Sequence, residues 1–217
     1  MFEAELAARL EIPRGVTAII GSGGKTTLLR TLAAGLPGTV LLCTTTHILP
    51  FDGLPLLLSP DRETLAAALN THRVVCSGVP EPETGKLTAL PYALTGLADY
   101  VLVEADGSRG YPLKGHAGYE PVIPPEAGWV VQVVGLSGLE QPICRVVHRP
   151  EIFAGLLQAR PGDAVTPTRL AAVLNRENLA DVILLNQAED WRGVAGLLRG
   201  LLRTPAVVCS LKERWLA

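Results

Sequence analysis

Lysine is scarce in this 217-residue chain: four lysines stand against fifteen arginines. There is no basic cluster or stripe, and formal net charge is only -2. The long-range positive field that draws nucleic acid is therefore missing, and no nucleic-acid partner is expected. No apolar run approaches the roughly 18 residues of a membrane-spanning helix, which predicts a soluble protein with no membrane partner. The first residues, MFEAELAARLEIP, carry glutamates where a secretory leader would carry positive charge, so a cytoplasmic location is expected. Phe2, Leu6 and Leu10 there have amphipathic helical spacing. Cysteine is limited to Cys43, Cys76, Cys144 and Cys209, too scattered for a zinc site or a redox pair. Buried, reduced thiols are the expectation for all four.

What the chain does have is strands alternating with helices. Strand character recurs at Val16–Ile20, Thr39–Cys43, Leu56–Leu58, Arg73–Cys76, Tyr100–Val103, Trp129–Val134, Val182–Leu185 and Ala206–Val208. Helical spacing recurs at Leu28–Leu36, Glu151–Gln158, Thr168–Leu174 and Val194–Leu202, and Asp61 can cap a helix running through Leu69. Within the strands there is little period-two alternation, which predicts a mainly parallel sheet with helices on both faces. The composition of 79–90, with Pro-Glu-Pro-Glu-Thr-Gly-Lys, predicts a small hairpin or excursion. The expected fold is one α/β domain over 1–217, P-loop NTPase-like, with ligands at the strands' carboxyl ends.

Gly21-Ser22-Gly23-Gly24-Lys25-Thr26-Thr27 follows a strand and opens a helix. Glycines let backbone N–H groups surround a phosphate, the helix N-terminus adds positive potential, Lys25 reaches the terminal phosphates, and Thr26 can ligate Mg²⁺. The long P-loop would need a further glycine at Ile19; this is the short form, which Mur-type ligases also use. ATP or GTP with magnesium is the expected cofactor.

Glu104 and Asp106 close another strand, two apart and so on one face, where carboxylates can hold Mg²⁺ or orient a nucleophile. Arg109 and Lys114 could neutralise charge in phosphoryl transfer, or be solvated loop cations. His47, after three threonines, is either a substrate contact or proton relay, or a structural histidine. Asn186-Gln187-Ala188-Glu189 is similar to the N-K-x-D element with which GTPases read guanine, with Gln for Lys and Glu for Asp. His148-Arg149-Pro150-Glu151 is a helix cap or a substrate contact. The chemistry could be nucleotide hydrolysis or transfer, an ATP-dependent ligase or small-molecule kinase reaction, or nucleotide-gated binding with negligible turnover.

Taken in order, IIGSGGKTTLL, LLCTTTHI, VLVEADGSRGYPLK, YEPVIP, VVGL, VHRPEIF and ILLNQAED resemble the YqeC family of accessory proteins for selenium-dependent molybdenum hydroxylases. The resemblance spans most of the chain. It implies a nucleotide-binding protein acting in hydroxylase maturation, with such a hydroxylase or its cofactor-maturation proteins as partner. It also implies phosphate and metal contacts at Gly21, Gly24, Lys25 and Thr26, an acidic site at Glu104 and Asp106, and Asn186 near the base. Tyr119 stands where the family carries a histidine before Glu-Pro; His116 lies three residues upstream.

Overall fold

The structure, a computed structural model, describes residues 1–217. Its elements in chain order are α1 (Phe2–Arg9), β1 (Gly15–Gly21), α2 (Lys25–Gly35), β2 (Val40–Thr44), β3 (Leu56–Leu58), α3 (Arg62–Thr71), β4 (Val74–Glu81), β5 (Lys86–Thr88), β6 (Tyr100–Glu104) and β7 (Leu113–Lys114). There follow β8 (Ala127–Gly135), α4 (Ile143–Val146), β9 (Val147–His148), α5 (Pro150–Leu157), α6 (Pro167–Glu177), β10 (Val182–Asn186), α7 (Arg192–Leu201), β11 (Ala206–Ser210) and β12 (Trp215–Leu216).

One ten-stranded sheet organises the chain, in the order β12-β11-β10-β8-β1-β6-β2-β4-β3, with β5 paired to β4. Its pairings are parallel except at β11–β12 and β4–β5. The central strands β2, β6 and β10 are buried at every position, as a sheet covered on both faces requires. Alternation then sorts side chains between layers. Val182 and Leu184 pack with α1 and α2 residues such as Leu6 and Leu28, whereas Ile183 and Leu185 pack with Phe153, Leu170 and Leu198 of α5, α6 and α7. This is the expected α/β, P-loop NTPase-like architecture.

Predicted strands and helices are all present, with ends moved by a few residues. Asp61 caps α3 as expected, accepting from the Thr64 amide at 2.7 Å. The 79–90 excursion is a β4–β5 hairpin, and β4 is the predicted Arg73–Cys76 strand continued outward. The cysteine expectation needs one correction. Cys43, Cys76 and Cys209 are buried, but Cys144 is exposed on short α4. No helix is long and apolar enough to cross a membrane.

Candidate functional site

The strand order sets the site. β6 lies directly beside β1, with Ile19 opposite Glu104, so the glycine loop after β1 and the acidic segment after β6 leave the sheet side by side. β2 lies on the other side of β6 and places Thr44 opposite Glu104. Its Thr44 hydroxyl donates to the Glu104 carbonyl at 2.8 Å, fixing the start of the Thr44–His47 turn.

The loop is compressed against its neighbours. Gly23 and Gly24 have φ of 86° and 131°, a region that side chains disfavour. A Cβ on Gly23 would come within 2.5 Å of the Gly135 backbone, and one on Gly24 within 2.5 Å of the Asn186 amide nitrogen. Gly24 is the N-cap of α2 and provides no side-chain cap, so the helix presents its first N–H groups to the cleft.

Lys25 is nearly buried and folds back beneath the loop. Its Nζ donates to the Gly21 carbonyl at 2.6 Å and lies 3.0 Å from Asp106 Oδ1, with Ser108 Oγ at 3.4 Å. Asp106 has no exposed surface. Its Oδ2 accepts from the Gly21 amide at 2.9 Å and also meets Lys114 Nζ at 3.2 Å and His116 Nε2 at 3.1 Å. Burial works to raise the Asp106 pKa, but the His116 hydrogen bond and the Lys25 and Lys114 charges outweigh it and hold the carboxyl well below its usual range. Asp106 therefore braces the loop from beneath.

His116 extends this brace. Its Nδ1 lies 2.9 Å from Glu177 Oε2 at the end of α6, and its backbone amide donates to Glu177 Oε1 at 2.9 Å. Burial opposes its charge, but hydrogen bonds to Asp106 and Glu177 raise its pKa above the ordinary histidine value. Lys114 is also fully enclosed, donating to the Gly107 carbonyl at 2.6 Å and pairing with Glu120 at 2.8 Å. Sequence reasoning treated Lys114 and Arg109 alike; Lys114 is internal, while Arg109 lines the open cleft. Glu177 was missed, since nothing local marks a glutamate at a helix end as the partner of a histidine 61 residues away.

Glu104, two residues before Asp106, is the opposite case. It is 8% exposed and lines the cleft beside Thr26, and its Oε2 is buried without a hydrogen-bond partner. Burial raises its pKa, opposed chiefly by Lys25. An orphaned carboxylate oxygen beside a threonine hydroxyl suits a hard cation with oxygen ligands. Thr26 and Glu104 fit magnesium; Asp106 Oδ2 is taken up by protein donors, while its buried Oδ1 makes no hydrogen bond and faces the Lys25 ammonium at 3.0 Å.

Two cavities flank the loop and share Gly24, Thr27 and Gln187. One, of about 600 Å³, is lined by Ser137, Asn186, Gln187, Glu189, Asp190, Trp191, Leu211, Lys212 and Glu213. Its charged residues are mostly acidic. Asn186 is buried and spent on the loop: Nδ2 donates to the Gly23 carbonyl at 2.7 Å, and Oδ1 accepts from the Leu211 amide at 3.0 Å. Gln187 Oε1 accepts from Ser137 Oγ at 2.5 Å, and Glu189 Oε2 has no partner.

The other cavity, of about 790 Å³, is lined by the loop, Thr46, His47, Lys86, Glu104, the 107–111 turn, Glu120, His148 and Arg149. His47 is half exposed and pairs with Glu81 of the hairpin at 3.4 Å. Arg149, the left-handed N-cap of α5, pairs with Glu120. His148 stacks on Tyr111 with ring centroids 6.1 Å apart. The β7–β9 pairing, Leu113 with Val147 and Lys114 with His148, brings this wall to the acidic segment. Of the residues picked out from sequence, His47, Glu104, Arg109 and the loop meet in this cavity, Gln187 borders both, Asn186 and Glu189 line the other, and Asp106 and Lys114 lie under the loop.

The family model for YqeC protein matches residues 17–151, which takes in the loop, the acidic segment and the His148 turn. Uncharacterized protein YqeC of Escherichia coli (strain K12) is 33% identical over 171 residues, covering 73% of this chain and 67% of that protein. No solved structure matches. With a family model spanning more than half of the chain and a relative aligned over most of both lengths, the chain belongs to the YqeC family.

Proposed function

We propose that this protein binds ATP or GTP with magnesium across the 21–27 loop and turns it over as an accessory factor in maturation of a selenium-dependent molybdenum hydroxylase. The observation that carries the nucleotide half is the cradle itself: an uncapped α2 N-terminus, Lys25 beneath it, and beside Thr26 the Glu104 carboxylate, whose Oε2 makes no hydrogen bond. The accessory role rests on family membership.

In this reading the triphosphate lies on the Gly21–Thr27 backbone, and Lys25 turns from Gly21 and Asp106 to the phosphates. Asp106 keeps Lys114 and His116 as counterions when Lys25 moves, so the lysine's release does not strand a buried charge. Thr26 and Glu104 would hold magnesium, which when bound would neutralise charge on the terminal phosphates. The nucleoside occupies the acidic cavity. There Asn186 fixes the loop, and base contact falls to Gln187 and to Glu189, whose free oxygen can accept an N–H from a base edge.

The test is calorimetric titration with ATP and GTP, each with and without Mg²⁺, on wild type and Lys25→Ala. The expected result is magnesium-dependent binding of one nucleotide, with triphosphate affinity in the variant reduced far more than nucleoside affinity. Equal loss of both, or no binding by folded wild type, would overturn the reading.

A further inference from the structure

The cavity on the hairpin side of the loop differs in charge from the nucleoside side. Lys25, Lys86, Arg109 and Arg149 line it against Glu104 and Glu120, whereas Glu189, Asp190 and Glu213 face Lys212 on the other side. Lys25 and Arg149 are engaged with carboxylates, but Arg109 enters no ion pair and is exposed on a left-handed turn at φ 50°. In the proposed nucleotide site the phosphates and magnesium take the Lys25, Thr26 and Glu104 edge of this cavity, and Arg109 is given no contact there. The nucleoside accounts for the acidic cavity and the phosphates for the loop edge of this one; the part lined by Lys86, Arg109, Tyr111, His148 and Arg149 is left open beyond them.

We infer that this second cavity is an acceptor site for a small anion, a phosphate- or carboxylate-bearing molecule, held by Arg109 against the stacked His148–Tyr111 wall. A guanidinium offers paired N–H donors that match a carboxylate or phosphate edge. His148 adds a neutral partner. Burial and the neighbouring Lys114, Arg149 and Arg109 charges hold its pKa below the ordinary histidine value, and an uncharged ring still has one N–H to donate to the anion. A site of this charge next to the loop makes transfer to a second substrate a better use of the geometry than simple hydrolysis. The inference rests on the nucleotide reading for its role, but not for its binding chemistry.

Four histidines make the site directly observable. His148 and His47 line the cavity, His116 is in the buried brace, and His72 lies at the end of α3. Histidine-labelled protein is titrated at fixed pH with inorganic phosphate and, separately, malonate, following ring resonances by NMR in wild type and Arg109→Gln, with and without Mg-ATP and Mg-GTP. The expected result is a saturable His148 shift with at least one anion, weakened tenfold or more by Arg109→Gln, silent at His72, and persisting with nucleotide present. Which anion acts distinguishes a phosphoryl from a carboxyl acceptor. A His148 that does not respond, a response identical in Arg109→Gln, or displacement of the anion by nucleotide would overturn the acceptor site. If calorimetry finds no nucleotide binding while the Arg109-dependent shift stands, the nucleotide reading falls and the anion site remains. Arg109 is exposed and unpaired, so its variant should fold; unchanged His72 and His116 resonances check this.

Discussion

Two carboxylates two residues apart, Glu104 and Asp106, end in opposite states on the two sides of the glycine loop. Beneath it, Asp106 is fully enclosed, contacted by Lys25, Lys114, His116 and the Gly21 amide, and held ionised. In the cleft, Glu104 has a raised pKa and one oxygen without a hydrogen bond; Asp106 Oδ1 makes none either, but it lies 3.0 Å from the Lys25 ammonium. A sequence motif locates both and treats them as one acidic site. Burial alone is common to the two and distinguishes nothing; the number of donors around each decides which is scaffold and which is available for chemistry.

The largest test of that contrast is Asp106→Ala. It would leave Lys25, Lys114 and His116 buried together without their common counterion, a loss of about 3–5 kcal/mol for a broken buried charge set. Chemical denaturation should show it, with or without nucleotide. Asp106→Asn should be milder, since an amide still accepts from the Gly21 N–H. A variant as stable as wild type would mean that Asp106 is not the brace.

Glu104→Gln should behave in reverse. Removing a buried carboxylate whose ionised form the fold disfavours should hold or raise the melting temperature at neutral pH while weakening magnesium-dependent nucleotide affinity at least tenfold, about 1.4 kcal/mol. The sign follows from its raised pKa: the folded state disfavours the ionised form, so the cost is present above the folded pKa and vanishes below the ordinary glutamate value near 4.3. The stability advantage of the variant should therefore shrink as pH falls. Loss of stability with unchanged magnesium dependence would exchange the roles assigned to the two carboxylates.

His116 gives a smaller, pH-dependent effect. Its folded pKa is raised by Asp106 and Glu177, so its stabilisation is complete below the ordinary histidine value near 6.5 and is lost as pH rises through the folded pKa. Melting temperature measured from pH 6 to 9 should decline in wild type, and that component should be absent from His116→Gln. Asp106 itself has the opposite sign: its contribution is present above about 3.9 and is lost only as pH falls through its lowered folded value.

Much of this fold was readable because β2, β6 and β10 are uniformly buried and read as unbroken apolar runs. The two-residue pairs β7 and β9, short α4 and terminal β12 carry too few residues for any periodicity, and they were not anticipated. The loop and acidic segment were legible as motifs, since each lies at a strand end where local sequence dictates local geometry. What Lys114 and His116 touch was not. Their partners Glu120 and Glu177 are set by the β7–β9 pairing and by the end of α6, and neither is encoded in the spacing around them.

Cys43 marks the smallest expected effect and the limit of proximity as an argument. It is the last residue but one of β2, before Thr44, and pairs in register with Val103, next to Glu104. Yet its side chain packs with Leu41, Leu65, Val101 and Val103 on the α3 side of the sheet, and burial pushes the thiol far above its ordinary pKa. A thiol held protonated is a poor nucleophile and a poor selenium acceptor. Cys43→Ser should cost about 1–3 kcal/mol by placing a hydroxyl in that apolar layer, while calorimetric nucleotide affinity changes less than about twofold, or 0.4 kcal/mol. A large loss of affinity in a folded variant would mean that the layer beneath β2 communicates with the cleft, and that the separation drawn between the loop's two sides is too sharp.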